Sequence, residues 1–336
     1  MRAGLAFALL IWAAPLAAQT VQVFARGETV PVGTANEDAA DDPAIWRNAK
    51  YPERSLIVAT DKKAGLYVYD LKGQIKSFTA AGRVNNVALV EIGHLGVIVA
   101  ASDRNDKARA LIQLYRLDTR TAKLAPLGQI EGGAGEAYGV CLWRQGRTLH
   151  VFSVLKQGEI HHLKVTWNDR PSGTRVRQMK LASQTESCVV DPRTSILYVG
   201  EEDRGVWSFD ARASGKLDGK LIAPVEGNAL VADVEGLAVM PQGRRGGWLI
   251  ASSQGDNAFS LYQLPDYRPV GRFRIAQSAI GSVEETDGIE VHAGSFGKDY
   301  PDGLFIAQDG RNEPAAQNFK LVAWRDIIRA LRASRD

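Results

Sequence analysis

The amino-acid sequence predicts an all-β protein, a six-bladed β-propeller of four-stranded antiparallel blades. The first observation is a hairpin pattern, an apolar run, a polar Gly/Asp turn and an alternating strand, which occurs six times. The second is its spacing, because successive copies begin 41, 52, 48, 51 and 56 residues apart, the length of one propeller blade. The third is a short strand before each hairpin that begins with polar residues and then turns apolar. Such a strand suits the innermost position of a blade, where it starts at the channel mouth and packs between neighbours.

The first element in chain order is an export sequence. Residues 1–19 combine a positive start, a short apolar run and small residues at Ala17 and Ala18, which is typical of a secretory signal peptide. The apolar run is shorter than the roughly 20 residues that a membrane span requires, and no later segment approaches that length. We therefore expect an exported protein without a membrane anchor, resident in the periplasm or outside the cell.

Residues 20–336 are predicted to form a single propeller domain. The strand between Val21 and Val32 has no hairpin of its own, and we expect it to complete the last blade, since an unpaired edge would be a liability. The hairpins start at Leu56, Val97, Leu149, Leu197, Trp248 and Leu304. The strands before them read DDPAIW, NNVALV, YGVCLW, ESCVVD, VEGLAV and DGIEV. At the end of the chain, apolar residues at helical spacing predict a short packing helix: Trp324, Ile327, Ile328 and Leu331.

The charge balance excludes two classes of partner. The net charge is +3 and no block of like charge occurs, so neither nucleic acid nor an anionic membrane is indicated. We expect a monomer that acts on a small molecule. Only two cysteines occur, Cys141 and Cys188, and an oxidising compartment would let a disulfide persist, but their spacing does not establish whether they pair.

Carboxylates precede most of the predicted innermost strands, so they should meet at one mouth of the channel. They are Asp38, Asp41, Asp42, Glu186, Asp233, Glu235, Asp287 and Glu290, and a turn with Glu201, Glu202 and Asp203 could face the same side. At low effective dielectric so many carboxylates repel one another by several kcal/mol unless a cation holds them. Ca²⁺ is favoured over Mg²⁺ because it tolerates irregular oxygen ligands from several loops. The competing interpretation is that these residues cap turns or are solvated.

Basic residues occupy the hairpin turns of the first three blades. They are Lys62, Lys63, Arg104 and Lys156. A site with bound cations on one side and Lys and Arg on the other suits a small polyanion with several phosphates. Ordinary polar turns are the alternative interpretation for each residue taken alone.

Familiar catalytic motifs are missing from the sequence. It contains no GxSxG elbow, no HExxH and no phosphate-binding glycine loop, and its five histidines lack ligand spacing. Cys141 and Arg147 have the spacing of cysteine-dependent phosphatases, but Cys141 falls inside a predicted strand and not at a helix start. The remaining hydrolytic mechanism is a metal-activated water, with carboxylates holding the metal and basic turns holding the substrate.

The chain resembles the β-propeller phytases. Motifs in the family's order include DDPAIW, DKKAGLYVYDLKG, GRVNNV, AASDRN, SQTES, LYVGEED, DVEGL, ASSQGDN, TDGIEV and PDGLFIAQDG, and they extend from about Asp38 to Trp324. The resemblance implies a calcium-dependent six-bladed propeller that binds several Ca²⁺ ions. It implies removal of phosphates from myo-inositol hexakisphosphate (phytate), bound as its calcium complex, at neighbouring cleavage and affinity sites.

The resemblance also implies roles for individual residues. Those implied to contact phosphate are Lys62, Lys63, Arg104, Tyr138 and Lys156. Those implied to hold calcium are Asp38, Asp41, Asp42, Glu186, Glu201, Asp233, Glu235 and Asp287. The catalytic set implied is Glu186, Tyr138, Lys62 and Arg104.

Two positions depart from the family's pattern. Ala88 stands where the family usually has an aspartate, so one calcium ligand is in doubt there. Ser187 follows Glu186 where the family usually has glycine, which would cost conformational energy if the backbone φ were positive. Activity is expected, with weaker calcium affinity. Two other functions remain open at this stage, a calcium-dependent lactonase or esterase and a non-catalytic binding propeller, since one fold hosts many functions.

Overall fold

Six sheets form a closed ring in the computed structural model, which describes residues 20–226 and 229–334. The predicted signal peptide at residues 1–19 lies outside the described residues. Two short strands, β1 (Thr20–Val23) and β2 (Gly27–Glu28), precede the first blade in the sequence. The innermost strands of successive sheets contact one another in turn, and the last contacts the first, so they surround a central channel. The architecture is the predicted six-bladed β-propeller.

Each blade is an antiparallel sheet that runs outward from an innermost strand at the channel. Blades one and two comprise β3 (Ala40–Trp46), β4 (Leu56–Asp61), β5 (Gly65–Asp70) and β6 (Ile75–Ala80), then β7 (Val84–Ile92), β8 (Gly96–Asp103), β9 (Arg109–Asp118) and β10 (Lys123–Ala134). Blades three and four comprise β11 (Ala137–Gln145), β12 (Thr148–Leu155), β13 (Glu159–Trp167) and β14 (Pro171–Lys180), then β15 (Thr185–Asp191), β16 (Ile196–Glu201), β17 (Gly205–Asp210) and β18 (Lys220–Pro224). Blades five and six comprise β19 (Leu237–Gln242), β20 (Gly246–Ser253), β21 (Ala258–Leu264) and β22 (Arg268–Ile275), then β23 (Ile289–Ala293), β24 (Gly303–Asp309) and β25 (Asn318–Ala323).

The N-terminal segment closes the ring, as the sequence predicts. Strand β2 pairs antiparallel with β25 and so supplies the fourth strand of blade six. The ammonium of Lys320 on β25 is buried, and it lies 2.5 Å from the carboxylate of Glu28 on β2. Strand β1 adds a feature that the sequence analysis did not anticipate, because it pairs in parallel with β22 as a fifth strand of blade five.

The hydrophobic core lies between the blades and not in one central cluster. Strand β4 is buried on both faces, and its successive side chains point to opposite sides. Ile57 packs in a cluster with Ile306 of blade six, whereas Val58 packs in a cluster with Val99 of blade two. This alternation fixes the orientation of each blade relative to its neighbours, and thereby the position of every loop at the channel mouth.

The C-terminal helix and one disulfide complete the fold. Helix α1 (Trp324–Ala333) buries Trp324, Ile327 and Leu331 beside blades five and six, as the predicted packing helix should. Cys141 on β11 and Cys188 on β15 form a disulfide with a Cα–Cα distance of 5.8 Å, which joins the innermost strands of blades three and four. Among the described residues no helix has the length and apolar character needed to cross a membrane.

Candidate active site

Every blade presents two equivalent residues at the same mouth of the channel. One pair of residues, the first from the innermost strand and the second from the next strand, is equivalent in all six blades. In blades one to six these pairs are Pro43–Ala59, Val87–Ala101, Val140–Ser153, Cys188–Val199, Leu237–Ala251 and Ile289–Ala307. The residues two positions before the first member, here called the strand ring, are Asp41, Asn85, Tyr138, Glu186, Glu235 and Asp287. The residues three positions after the second member, here called the turn ring, are Lys62, Arg104, Lys156, Glu202, Gln254 and Gly310.

Backbone hydrogen bonds support this equivalence. The Lys62 N–H donates to the carbonyl of Ala39, and the same bond recurs in blade two from Arg104 to Arg83 and in blade three from Lys156 to Glu136. Blades four and five repeat it from Glu202 to Gln184 and from Gln254 to Asp233. In blades one to five the turn ring is therefore held at a constant height above the start of the innermost strand, whereas in blade six the Gly310 N–H donates to Glu284.

Close packing of the innermost strands brings the rings together. At Gly139, next to Tyr138, an added Cβ would lie 1.7 Å from the carbonyl oxygen of Glu186. At Gly288, next to Asp287, it would lie 2.4 Å from the carbonyl oxygen of Asp41. Glycine permits this approach, and the flanking side chains converge on one cavity.

The cavity has a basic half and an acidic half. Its volume is about 340 Å³, and its lining comprises Asp38, Lys62, Lys63, Arg83, Asn85, Arg104, Lys107, Tyr138, Gln184, Glu186, Glu235 and Asp287. The turn ring is cationic in blades one to three, while the strand ring is acidic in blade one and in blades four to six. Such a division can hold a cation and a polyanion side by side.

The acidic half centres on Glu186, Glu202 and Glu235. One carboxylate oxygen from each lies within 4.8 Å of the others, and all three residues are buried. Burial, with Asp41 contributing, raises the pKa of Glu186 to about 7, and burial followed by the charge of Glu186 raises the pKa of Glu235 well above its ordinary value. Within the described residues Glu202 Oε1 and Glu235 Oε2 are buried and have no hydrogen-bond partner. An all-oxygen group with orphaned atoms fits a hard divalent cation.

Lys62 belongs to both halves. Its Nζ lies 2.7 Å from an oxygen of Asp287, 2.8 Å from one of Asp38 and 3.1 Å from one of Asp41. Burial alone would lower the pKa of Lys62, but the neighbouring carboxylates, Asp41 first, hold it well above the usual value. The Lys62 ammonium is therefore a fixed positive charge against the acidic half.

The basic half is built around the ring of Tyr138. The Arg104 guanidinium and the Lys156 ammonium each lie 4.9 Å from the ring centroid, within cation–π range. Lys156 Nζ also donates to the Tyr138 hydroxyl at 3.1 Å. Burial, followed by the charge of Glu186, raises the pKa of Tyr138, so its phenol stays protonated. Arg104, Lys156 and the Tyr138 hydroxyl thus form one cluster of hydrogen-bond donors.

Other residues singled out in the sequence lie at the edges of this arrangement. Lys63 is at the rim, with its side chain 40% exposed and its Nζ 3.6 Å from Glu37. Asp233 is partly buried, and burial raises its pKa. Asp42 faces the channel below the mouth, where it accepts a hydrogen bond from the Val87 N–H and lines a second cavity of about 550 Å³.

The structure brings Glu202, and not Glu201, into the carboxylate group. Glu201 Oε1 accepts hydrogen bonds from the Ser183 N–H and hydroxyl, and Oε2 accepts one from the Trp207 indole. Both oxygens of the Glu201 carboxylate are therefore already hydrogen-bonded to neighbouring residues of blade four and the loop before it. The hairpin alignment contains the distinguishing signal, since Glu202 is the position that corresponds to Lys62.

Sequence reasoning also missed several neutral and acidic partners in the cavity. Gln254 of the turn ring donates to Asp287 at 2.8 Å, and Glu136 accepts from Arg104. Asn85 of the strand ring lies between Arg104 and Glu186. Their positions in the two rings would have identified Gln254 and Asn85.

The structure also locates the two departures from the family's pattern. Among the described residues six non-glycine residues have a positive φ, and Ser187 is not one of them, so the serine carries no left-handed strain. Ala88 lines the lower channel cavity together with Asp42. Neither residue belongs to the strand ring or the turn ring.

Comparisons with known proteins agree with this geometry. Residues 4–336 match the family model described as Phytase. The chain is 36% identical over 329 residues to the 3-phytase of Bacillus subtilis (strain 168), a match that covers 92% of this chain and 85% of that protein.

Two solved structures are similar in fold alone. A chain of the crystal structure of the mitotic checkpoint complex aligns with a TM-score of 0.53 at 14% identity, covering 96% of this chain and 85% of that chain. Chaetomium thermophilum Sqt1, in a crystal structure with the N-terminus of ribosomal protein L10, aligns with a TM-score of 0.50 at 12% identity, covering 90% of each chain. At such low identity the likeness carries no functional information.

Proposed function

The chain belongs to the phytase family, and from that premise we propose that its phosphomonoester hydrolysis acts on phytate and depends on calcium. The observation that carries the proposal is the divided cavity, with a buried group of three carboxylates on one side and Arg104, Lys156 and Tyr138 on the other. A substrate with several phosphates, bound as its calcium complex, matches both halves at once. A neutral lactone would leave the basic half without a partner.

The acidic half is the proposed calcium site. Several ions would be held by Glu186, Glu202 and Glu235 together with the ring and rim carboxylates Asp38, Asp41, Asp233 and Asp287, and a further ion by Asp42 in the channel. Glu201 is proposed to act by fixing the hairpin that carries Glu202. Bound calcium would neutralise these carboxylates, offset charge on the phosphoryl oxygens and lower the pKa of the attacking water.

The basic half is the proposed phosphate site. Arg104 offers a planar fork of donors, Lys156 and Lys62 offer point charges, and Tyr138 offers a protonated hydroxyl. Lys63 at the rim would hold a second phosphate and so contribute affinity. With Glu186, the residues Lys62, Arg104 and Tyr138 form the proposed catalytic set.

We further propose that the protein is exported as a monomer to the periplasm or the medium. The predicted signal peptide supports export, and the Cys141–Cys188 disulfide fits an oxidising compartment.

The test is phosphate release from phytate by the purified mature chain near neutral pH, with and without a chelator in excess over calcium. Release that the chelator abolishes and added calcium restores is the expected result. Steady release in the presence of the chelator would refute calcium dependence. No release at any calcium concentration, from a folded protein, would refute phytate as the substrate.

A further inference from the structure

Asn85 lies at the boundary between the two halves of the cavity. It is the blade-two member of the strand ring and is 1% exposed. Its Oδ1 accepts a hydrogen bond from Arg104 Nη1. Its Nδ2 donates to Glu186 Oε1 at 2.7 Å and lies 3.3 Å from Asp41 Oδ2. One amide therefore connects the phosphate-binding arginine with the central carboxylate.

The chemistry of the neighbours fixes the orientation of this amide. A guanidinium can only donate hydrogen bonds, so the Asn85 oxygen must face Arg104, and the nitrogen then faces the carboxylate oxygens of Glu186 and Asp41. The reverse orientation would place N–H against N–H and oxygen against carboxylate. A side chain that only accepts or only donates could serve one neighbour but not the other.

The Arg104 guanidinium is held by two hydrogen bonds, one from each Nη. Nη1 donates to Asn85 and Nη2 donates to Glu136 Oε1 at 2.5 Å, while the guanidinium lies over the Tyr138 ring. Without Asn85 the guanidinium would keep one hydrogen-bonded anchor and could rotate about it. A displacement of about 1 Å in a catalytic group costs on the order of 100-fold in rate.

We propose that Asn85 is a positioning residue that sets the Arg104 guanidinium relative to the Glu186 carboxylate. The phosphate held by Arg104 and the cation held at Glu186 thereby keep one fixed separation. The role of Asn85 in turnover rests on the proposed function, whereas its effect on Glu186 does not require turnover.

The first test is a double-mutant cycle on kcat/KM for phytate, with the full mature chain and saturating calcium. Asn85→Ala and Arg104→Ala should each lower kcat/KM about 100-fold. Because Asn85 acts through Arg104, the double variant should fall no more than about threefold below Arg104→Ala, whereas independent effects would multiply to about 10⁴-fold. The matched control cycle combines Lys63→Ala with Arg104→Ala. Lys63 lies at the rim and, among the described residues, shares no hydrogen-bond or ion-pair partner with Arg104, so the two effects on kcat/KM should multiply.

A conservative variant separates the two functions of the amide. Asn85→Asp keeps a hydrogen-bond acceptor for Arg104. In a protein that carries Asn85→Asp, the further change Arg104→Ala should therefore still lower kcat/KM about 100-fold. In a protein that carries Asn85→Ala, the change Arg104→Ala should lower kcat/KM only slightly. If Asn85→Ala does not fold, Asn85→Leu takes its place, since leucine keeps the side-chain volume while removing both polar atoms.

A binding measurement provides the readout that does not depend on turnover. Calcium alone is titrated into the metal-free protein by calorimetry, without phosphate or substrate. Asn85→Ala should weaken binding about tenfold, the lower end of the effect of removing a group that orients a metal ligand. Lys63→Ala should leave it unchanged.

Two results would overturn the inference. One is multiplication of the Asn85 and Arg104 effects, and the other is wild-type calcium affinity in a folded Asn85→Ala variant. Absence of phosphate release from the wild-type chain would instead refute the proposed function. The calcium titrations would in that case still decide whether Asn85 positions Glu186.

Discussion

Glu201 and Glu202 are adjacent residues of the same type, and we predict opposite consequences when each is replaced by glutamine. Glu202 belongs to the buried carboxylate group, and its Oε1 has no hydrogen-bond partner in the part of the chain that the structure describes, whereas both oxygens of Glu201 accept hydrogen bonds. Glu202→Gln should weaken calcium binding and phosphate release at least tenfold, because calcium affinity follows the number of charged ligands. Glu201→Gln should leave calcium affinity within about twofold of wild type.

The stability of the metal-free protein should respond in the opposite order: Glu202→Gln should stabilise it, and Glu201→Gln should destabilise it. Two unit charges 4.8 Å apart repel by about 3 kcal/mol at an effective dielectric constant of about 20. Burial raises the pKa of Glu202, so its ionised form is disfavoured in the metal-free protein. We therefore expect Glu202→Gln to raise the free energy of unfolding by about 1–2 kcal/mol. Glu201→Gln should lower it by about 1–3 kcal/mol, since the amide nitrogen would face a donor.

The assays are denaturant unfolding with a chelator present, calorimetric titration of calcium, and phosphate release from phytate. Each variant is the control for the other, because both remove one negative charge from the same turn. Equal loss of calcium affinity in both variants, or a greater loss in Glu201→Gln, would refute the assignment of Glu202 to the carboxylate group.

Four further changes test other parts of the structure. Glu186→Gln should abolish phosphate release with the fold retained by circular dichroism; wild-type rates would exclude a catalytic role for this residue. Lys63→Ala should raise KM for phytate several-fold but leave KM for a simple phosphomonoester unchanged, and equal effects on both would contradict an affinity role at the rim. Burial lowers the pKa of His162 from 6.5 to about 3, so its contribution to stability is complete above pH 6.5 and is lost as the pH falls toward 3. The free energy of unfolding should therefore change less between pH 7 and pH 4 in His162→Phe than in the wild type. An unchanged pH dependence would show that other groups dominate. Replacing Cys141 and Cys188 by serine should lower the free energy of unfolding by about 4 kcal/mol, from the chain-entropy relation for a loop of 47 residues. An unchanged midpoint of thermal unfolding would argue against the disulfide.

The blades could be predicted because their pattern is local and repeated. Each hairpin combines its strands and turn within one blade length, so periodicity and turn residues identify it without knowledge of distant contacts. The parallel pairing of β1 (Thr20–Val23) with β22 could not be found in this way. It joins residues more than 200 positions apart, and nothing in a four-residue strand specifies its partner.

The candidate site was predictable where charge repeated at equivalent positions. Asp41, Glu186 and Asp287 occupy equivalent positions at the start of their innermost strands, so their convergence followed from the fold. The choice between Glu201 and Glu202 was different, since a shift of one residue along a strand reverses the direction of the side chain. Asn85 carries no charge, so a search for repeated charge passes over it; its position in the strand ring marks it, and its neighbours in space show what it contacts.

The pairing of β2 (Gly27–Glu28) with β25 has a consequence for biosynthesis. Because blade six combines strands from both ends of the chain, a nascent or truncated polypeptide that lacks β25 offers β2 no partner. Asp287 of blade six and Asp41 of blade one both contact Lys62, so the mouth of the channel is complete only when blade six has joined blade one. We therefore expect activity to require both terminal strands of blade six, and under the proposed export a chain that crosses the membrane N-terminus first would complete the site only once β25 has followed.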